Sequence, residues 1–278
     1  MTNLPTFKMV PDQPQLDALE REFRFFPCEN SAPKRLSVDQ IDQFNRDGFL
    51  TGMRIFDDRE IAEHRMYFDE LLGTTLAKGL DSYSISTAHL TYGRVYDLLV
   101  HRRIVEMVCD LCGDCVVGWG SHYFCKLPGD GKSVSWHQDA SYWPLTPTKT
   151  ITVWLAIDDC DIENGCMKFL PGTHRLGHLP YRESDRLEGN VLNQSIEEIE
   201  RYGSAVENIL KAGEISIHSD LLLHGSEANI SKRRRCGLTL RYCPVDVNAY
   251  LDWNRKGVVV RGEDQYGHWE NPNRPNQK

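Results

Sequence analysis

Gly113-Asp-Cys-Val-Val-Gly-Trp-Gly-Ser-His-Tyr-Phe-Cys-Lys-Leu127 is the stretch at which the hydrophobic period of this chain changes. Before it, apolar residues recur at helical spacing. Within and after it they alternate with a period near 2, the mark of extended chain. The predicted strands are Val116–Leu127, Val134–Trp136, Thr150–Ile157, Cys166–Leu170, Glu214–His218 and Cys236–Cys243. Turn clusters such as Pro128-Gly129-Asp130-Gly131, Glu163-Asn164-Gly165 and Pro171-Gly172 separate them. Many short strands with Gly/Pro turns point to a jelly roll or barrel, since βαβ units would alternate strand with helix.

Upstream of that switch, Ser37 is a predicted N-cap with Asp39 in the first turn, and Gly48 ends its helix. Asp57 or Asp58 caps a second helix through Leu72, and a third runs from about Tyr96 to Leu111 before Gly113 stops it. A helical insertion is expected at about Ser195–Tyr202. The first 35 residues hold five Pro and read as an arm, and Asp246–Lys278, rich in aromatics, Gly and Pro, reads as a tail over the body. The expected organisation is a single domain: arm 1–35, flanking helices 36–113, β core 114–244 and tail 245–278.

The 278 residues bury roughly 75% of their unfolded surface, so the core needs no staples. A net charge of −8 makes nucleic acid a poor partner unless one face is locally basic. No apolar run reaches the roughly 18 residues of a membrane span, and the polar start lacks the apolar centre of a secretion signal. Nine scattered Cys suggest reduced thiols and a cytoplasmic protein. Cys109-x-x-Cys112-x-x-Cys115 has metal-like spacing but no supporting fourth ligand, so it reads as structural.

The chemistry starts at Trp136-His137-Gln138-Asp139. Residues two apart on an extended chain point to the same side, so His137 and Asp139 can reach one metal ion. His224 is the best third ligand, completing the two-imidazole, one-carboxylate set of non-haem Fe(II) oxygenases. His218-Ser219-Asp220 repeats the His-x-Asp spacing, and His218 is expected to end a strand and bond the following turn instead.

Taken in order, several segments resemble the phytanoyl-CoA dioxygenase family of Fe(II)/2-oxoglutarate oxygenases. They are Leu36-Ser-Val-Asp-Gln-Ile-Asp-Gln-Phe-Asn-Arg-Asp-Gly-Phe49, Trp136–Asp139, Val153-Trp-Leu-Ala-Ile157, Glu163-Asn-Gly-Cys166, Leu170-Pro-Gly-Thr-His174, His224-Gly-Ser226 and Arg235. The resemblance implies a mainly β protein with flanking helices, built on a double-stranded β-helix (jelly roll, cupin-like). It implies Fe(II) held by His137, Asp139 and His224, with 2-oxoglutarate and O2 as co-substrates. Arg235 matches the residue that pairs with the distal carboxylate of 2-oxoglutarate. Trp154, Gln138, Ser226 and His122 match positions lining the co-substrate, and His174 is expected to make a structural hydrogen bond. Asp139 stands where related halogenases carry a small residue, which argues for hydroxylation or another oxidation of a small metabolite or natural-product intermediate.

Tyr142, Trp143, Trp253, Tyr266, His268 and Trp269 are candidate substrate walls. Arg241, at an even offset from Arg235, is a candidate to hold a substrate acid group, with a surface ion pair as its plainer reading. The expected partner is a small molecule, with a homo-oligomer left open. The rivals are a Zn(II) hydrolase or isomerase on the same barrel, and a non-catalytic sugar- or lipid-binding jelly roll.

Overall fold

The computed structural model describes residues 11–184 and 188–277, so the first ten residues of the expected arm lie outside the described residues. Among the described residues, fourteen strands follow one another, beginning with β1 (Phe49–Arg54), β2 (Val116–Lys126), β3 (Val134–His137), β4 (Leu145–Thr146), β5 (Ile151–Ala156), β6 (Met167–Phe169) and β7 (Arg182–Glu183). The series continues with β8 (Gln194–Ser195), β9 (Val206–Asn208), β10 (Glu214–Ser219), β11 (His224–Ser226), β12 (Arg235–Pro244), β13 (Asn248–Ala249) and β14 (Val258–Arg261). The α-helices are α1 (Gln13–Asp17), α2 (Val38–Asp47), α3 (Asp58–Ala77), α4 (Gly93–Leu99) and α5 (Arg102–Cys112).

A six-stranded sheet in the order β1-β10-β5-β12-β2-β14 belongs with a four-stranded sheet, β3-β11-β6-β9. The pairings are antiparallel throughout. This is the expected jelly roll. Alternation along β12 decides what faces what. Cys236, Leu238, Leu240 and Tyr242 join one apolar cluster with Ile41, Phe68, Leu99 and Ile104 of the helices. The intervening Arg235, Thr239 and Arg241 line a cavity on the other face. On β5, Val153 and Leu155 face the helices, while Trp154 and Ala156 meet Phe169 and Met167 of the smaller sheet. A sheet covered on both faces explains why every residue of β5 is buried.

Helix ends follow local chemistry. The Ser37 side chain accepts from Gln40 N–H and the Gln40 side chain reaches back, a reciprocal cap on α2. Gly48 closes α2 at φ +85°, where an added Cβ would stand 2.5 Å from His174 Nδ1. Asp57 caps α3 in the same reciprocal way.

The third predicted helix is two helices. His101 adopts extended backbone between α4 and α5, while Leu99, Ile104 and Val108 keep facing the core, so their spacing conceals the break. The expected insertion at 195–202 holds one 3₁₀ turn, Ile199–Tyr202, and Ser195 pairs instead with Arg182. Too little of that segment is buried to offset the cost of nucleating a helix. The arm is bound to the body: Asp110 accepts the backbone N–H groups of Lys34, Arg35 and Leu36 at 2.8, 2.6 and 2.8 Å. The tail also gives an edge strand, β14, to the larger sheet. All nine cysteines are free thiols.

Candidate metal centre

His137 ends β3 and His224 opens β11, and the two are direct partners across that antiparallel pair. Their rings lie 4.2 Å apart by centroids. Asp139 opens the 3₁₀ turn Asp139–Tyr142, which carries its carboxylate back beside His137 Nε2 at 3.7 Å. One ligand atom from each of His137, Asp139 and His224 lies within 4.8 Å of the others, and all three residues are buried. No other such group occurs among the described residues, so the Cys109–Cys115 run forms no metal cluster with other ligand-type residues.

The supporting contacts orient these donors. His137 Nδ1 is 2.8 Å from Ser135 O and His224 Nδ1 is 2.9 Å from Leu222 O. A backbone carbonyl can only accept, so each Nδ1 carries the proton and each Nε2 keeps its lone pair for a metal. Thr152 on β5 donates to Asp139 Oδ2 at 3.1 Å. Burial works against an ionised Asp139, but the facing imidazoles of His137 and His218, with His224 and Arg241, outweigh it and hold the carboxyl well below its usual range. Burial also holds His224 well below the usual imidazole value. The trio therefore offers two imidazole Nε2 atoms and one carboxylate. That donor set fits Fe(II).

His218 departs from expectation. It is buried on β10 with its ring centroid 4.7 Å from His224, and neither ring nitrogen has a hydrogen-bond partner. Its Nε2 stands 3.8 Å from Asp139 Oδ2. It faces the site because alternation on β10 sends Ile215 and Ile217 to the helices. The turn that it was expected to bond is held by other groups: Asp220 accepts from Thr150 N–H.

A cavity of about 510 Å³ opens onto the trio. Ser226, Trp154, His122, Tyr142, Trp143 and Arg241 line it, together with Arg235. The Arg235 guanidinium is buried, donates to Gly165 O at 3.1 and 2.9 Å, and lies 5.6 Å from the Trp154 ring centroid. Its neighbours in sequence point elsewhere: Arg233 pairs with Asp161, and Arg234 with Asp158 and Asp69.

Gln138 is a correction. Its side chain donates to Gly177 O and Leu221 O and accepts from Leu179 N–H, so it buttresses the loops behind the site. With His137 and Asp139 facing the cavity, the residue between them must face away. Trp269 also lies outside the cavity, packed behind Gly257, where an added Cβ would meet its ring at 2.1 Å. Tyr266 is exposed, and His268 Nε2 accepts from Ala249 N–H; of the tail candidates, Trp253 reaches the cavity. Arg241 is only partly exposed and makes no surface ion pair among the described residues. His174 does make a structural bond, to Asn45 O at 3.1 Å.

Thr152, Trp119, Thr239 and Lys256 line the cavity without having been singled out from the sequence. Arg21 of the arm donates to Ala140 O at 3.2 Å and Trp143 O at 3.0 Å, bracing the turn that carries Asp139. The alternation of β5 and β12 was a usable signal for Thr152 and Thr239. None existed for Arg21 or Lys256, whose contacts are made by distant chain.

A family model described as Phytanoyl-CoA dioxygenase (PhyH) matches residues 44–237. The chain belongs to this family. Among curated members of the phytanoyl-CoA dioxygenase family, the peroxisomal enzyme of Homo sapiens is 25% identical over 243 residues, 78% of this chain and 71% of that protein. A solved structure described as the non-heme monooxygenase ThoJ in apo form aligns with a TM-score of 0.71 at 26% identity, covering 85% of this chain and 88% of that one. A second, CytC3 with Fe(II) and alpha-ketoglutarate, aligns with a TM-score of 0.63 at 25% identity, covering 85% and 93%. No helix among the described residues is long and apolar enough to cross a membrane.

Proposed function

We propose that the protein is a non-haem Fe(II)- and 2-oxoglutarate-dependent oxygenase acting through one catalytic domain. It hydroxylates, or otherwise oxidises, an unactivated C–H bond of a small molecule and releases succinate and CO2. The observation that carries this reading is a single cavity with the buried His137, Asp139 and His224 trio and, on the same wall as Trp154, the buried Arg235. A Zn(II) hydrolase or isomerase that takes no 2-oxoglutarate would have no use for that arginine.

His137, Asp139 and His224 would hold the iron, which when bound supplies the activation of O2 that the protein side chains cannot. The chain's own groups do the rest. Arg235 offers a planar fork of donors that matches the distal carboxylate of 2-oxoglutarate bidentately. Ser226 Oγ, 3.4 Å from the Arg235 guanidinium, stands ready as a second donor. Trp154 walls the co-substrate, and Thr152 fixes the Asp139 carboxylate. Asp139 would also supply the ligand in whose place a halide would have to bind, which favours oxygenation over halogenation.

The test is anaerobic addition of 2-oxoglutarate to the Fe(II)-loaded protein. A metal-to-ligand absorption band near the visible, followed by O2-dependent succinate formation stimulated by substrate, supports the reading. Turnover of a substrate without O2 or 2-oxoglutarate would place the protein among metal-dependent hydrolases or isomerases.

A further inference from the structure

The cavity wall carries a cation that neither the metal trio nor the co-substrate uses. Arg241 follows Arg235 on the inward face of β12. Its guanidinium carbon lies 5.1 Å from the Trp143 ring centroid and 5.9 Å from that of Trp119. Its partner across the strand pair is Gly120, where an added Cβ would stand 3.2 Å from Arg241 Cδ. The missing side chain leaves room for the arginine stem along β2, and its head lies beside the two indoles, whose rings meet edge to face with centroids 4.7 Å apart.

That head is under-used. Nε is buried without a hydrogen-bond partner. The acid whose field reaches Arg241 is Asp139, and Asp139 belongs to the metal trio. With a divalent ion, the Asp139 carboxylate, a 2-oxoglutarate dianion and Arg235 in place, the charges at that end of the cavity cancel. Arg241 is left over. A cation kept in a partly desolvated site without a partner is costly, so the site calls for an anion from outside the chain. A guanidinium lying against aromatic rings keeps in-plane N–H groups available for a carboxylate.

The rest of the wall fits a body attached to such a group. Trp119, Trp143 and Trp253 offer flat apolar surface beside Arg241. Lys256 lines the same region, but burial and the nearby Arg241 push its ammonium down to about 6. Near neutral pH the pair therefore offers one lasting positive charge, which suits a monoanion better than a phosphate dianion.

We propose that Arg241 binds a carboxylate of the organic substrate, whose apolar or aromatic body lies against Trp119, Trp143 and Trp253. The enzyme then acts on small amphipathic carboxylic acids. This rests on the oxygenase reading above and assigns the substrate end of its cavity.

The experiment uses the full chain, loaded anaerobically with Fe(II) and saturating 2-oxoglutarate, and calorimetric titration with matched probes. The probes are 3-(indol-3-yl)propanoate, 4-phenylbutanoate and dodecanoate, each beside its primary amide. At least one acid should bind tenfold or more tightly than its amide. Arg241→Met should remove that preference while Arg241→Lys keeps part of it, with the 2-oxoglutarate absorption band unchanged in both. Equal binding of acids and amides, binding of no acid, or a preference that survives Arg241→Met would overturn the proposal. Absence of the absorption band in the wild type, with acid binding intact, would instead count against the oxygenase reading and leave Arg241 as a carboxylate site.

Discussion

Gly237 lies directly beneath the indole of Trp154: a Cβ built on Gly237 would stand 1.9 Å from Trp154 Cζ2. Gly237 belongs to β12, two residues after Arg235, and its backbone pairs with Ala156 on β5. The bare glycine is what allows the indole to lie flat against the sheet beside the Arg235 guanidinium. Gly237→Ala should therefore displace Trp154 and cost about 1–3 kcal/mol of stability from overpacking. Thermal unfolding and 2-oxoglutarate affinity should fall together. An unchanged affinity would mean that Trp154 does not wall the co-substrate.

The metal trio predicts a sharp difference between histidines. His137→Ala and His224→Ala should each retain less than about a tenth of an equivalent of Fe(II) after anaerobic loading and desalting, because two donors bind weakly. His218→Ala should keep close to a full equivalent, since His218 lies beside the trio without completing it. Thr152→Val should weaken metal affinity roughly 10- to 100-fold by freeing the Asp139 carboxylate. Metal analysis reads all four, and a His218→Ala protein without iron would exchange the roles of His218 and His224.

Arg235 should control the co-substrate. A carboxylate left in a buried site without its guanidinium costs roughly 3–5 kcal/mol, or two to four decades in affinity. Arg235→Ala should raise the 2-oxoglutarate Kd by that amount, measured from the absorption band. Arg233→Ala, at an exposed ion pair with Asp161, should change it little. Equal effects would mean a diffuse field of positive charge.

His89 predicts a pH dependence of stability. It is fully buried, with Nδ1 2.8 Å from Ser121 Oγ and Nε2 3.0 Å from Lys256 O, and burial depresses it from 6.5 to about 4. The unfolded chain then binds a proton that the folded chain refuses. The contribution is complete above about pH 6.5 and is lost as pH falls towards 4, with a loss on the order of 2 kcal/mol by pH 5. Denaturant unfolding at pH 7.5 and pH 5 should show this loss in the wild type and a smaller one in His89→Gln. Parallel losses would assign the acid sensitivity to other groups.

Much of the molecule was legible in the chain because its signals are local. The period change after Gly113 gave the β core, Ser37 and Asp57 marked helix starts, and the His137-x-Asp139 spacing placed two donors on one side. The same alternation could have shown that Gln138 points away, since it follows from the two residues beside it. What stayed hidden depends on partners far along the chain. Short strands such as β1, β9 and β11 carry little period of their own and exist because strands distant in the chain satisfy their backbone groups.

Sequence by itself determined the donor chemistry, the alternation that sorts each strand into a helix-facing and a cavity-facing side, and the family. Only the tertiary structure decided what shares the cavity. It brought His218 from β10 beside Asp139, set Arg241 beside Trp119 and Trp143, drew Lys256 from the tail into the wall and braced the Asp139 turn with Arg21. A side chain's period fixes the side of the strand on which it lies. Its charge state and role depend on what the rest of the chain packs against that side, because burial and neighbouring charge act through space and not along the sequence.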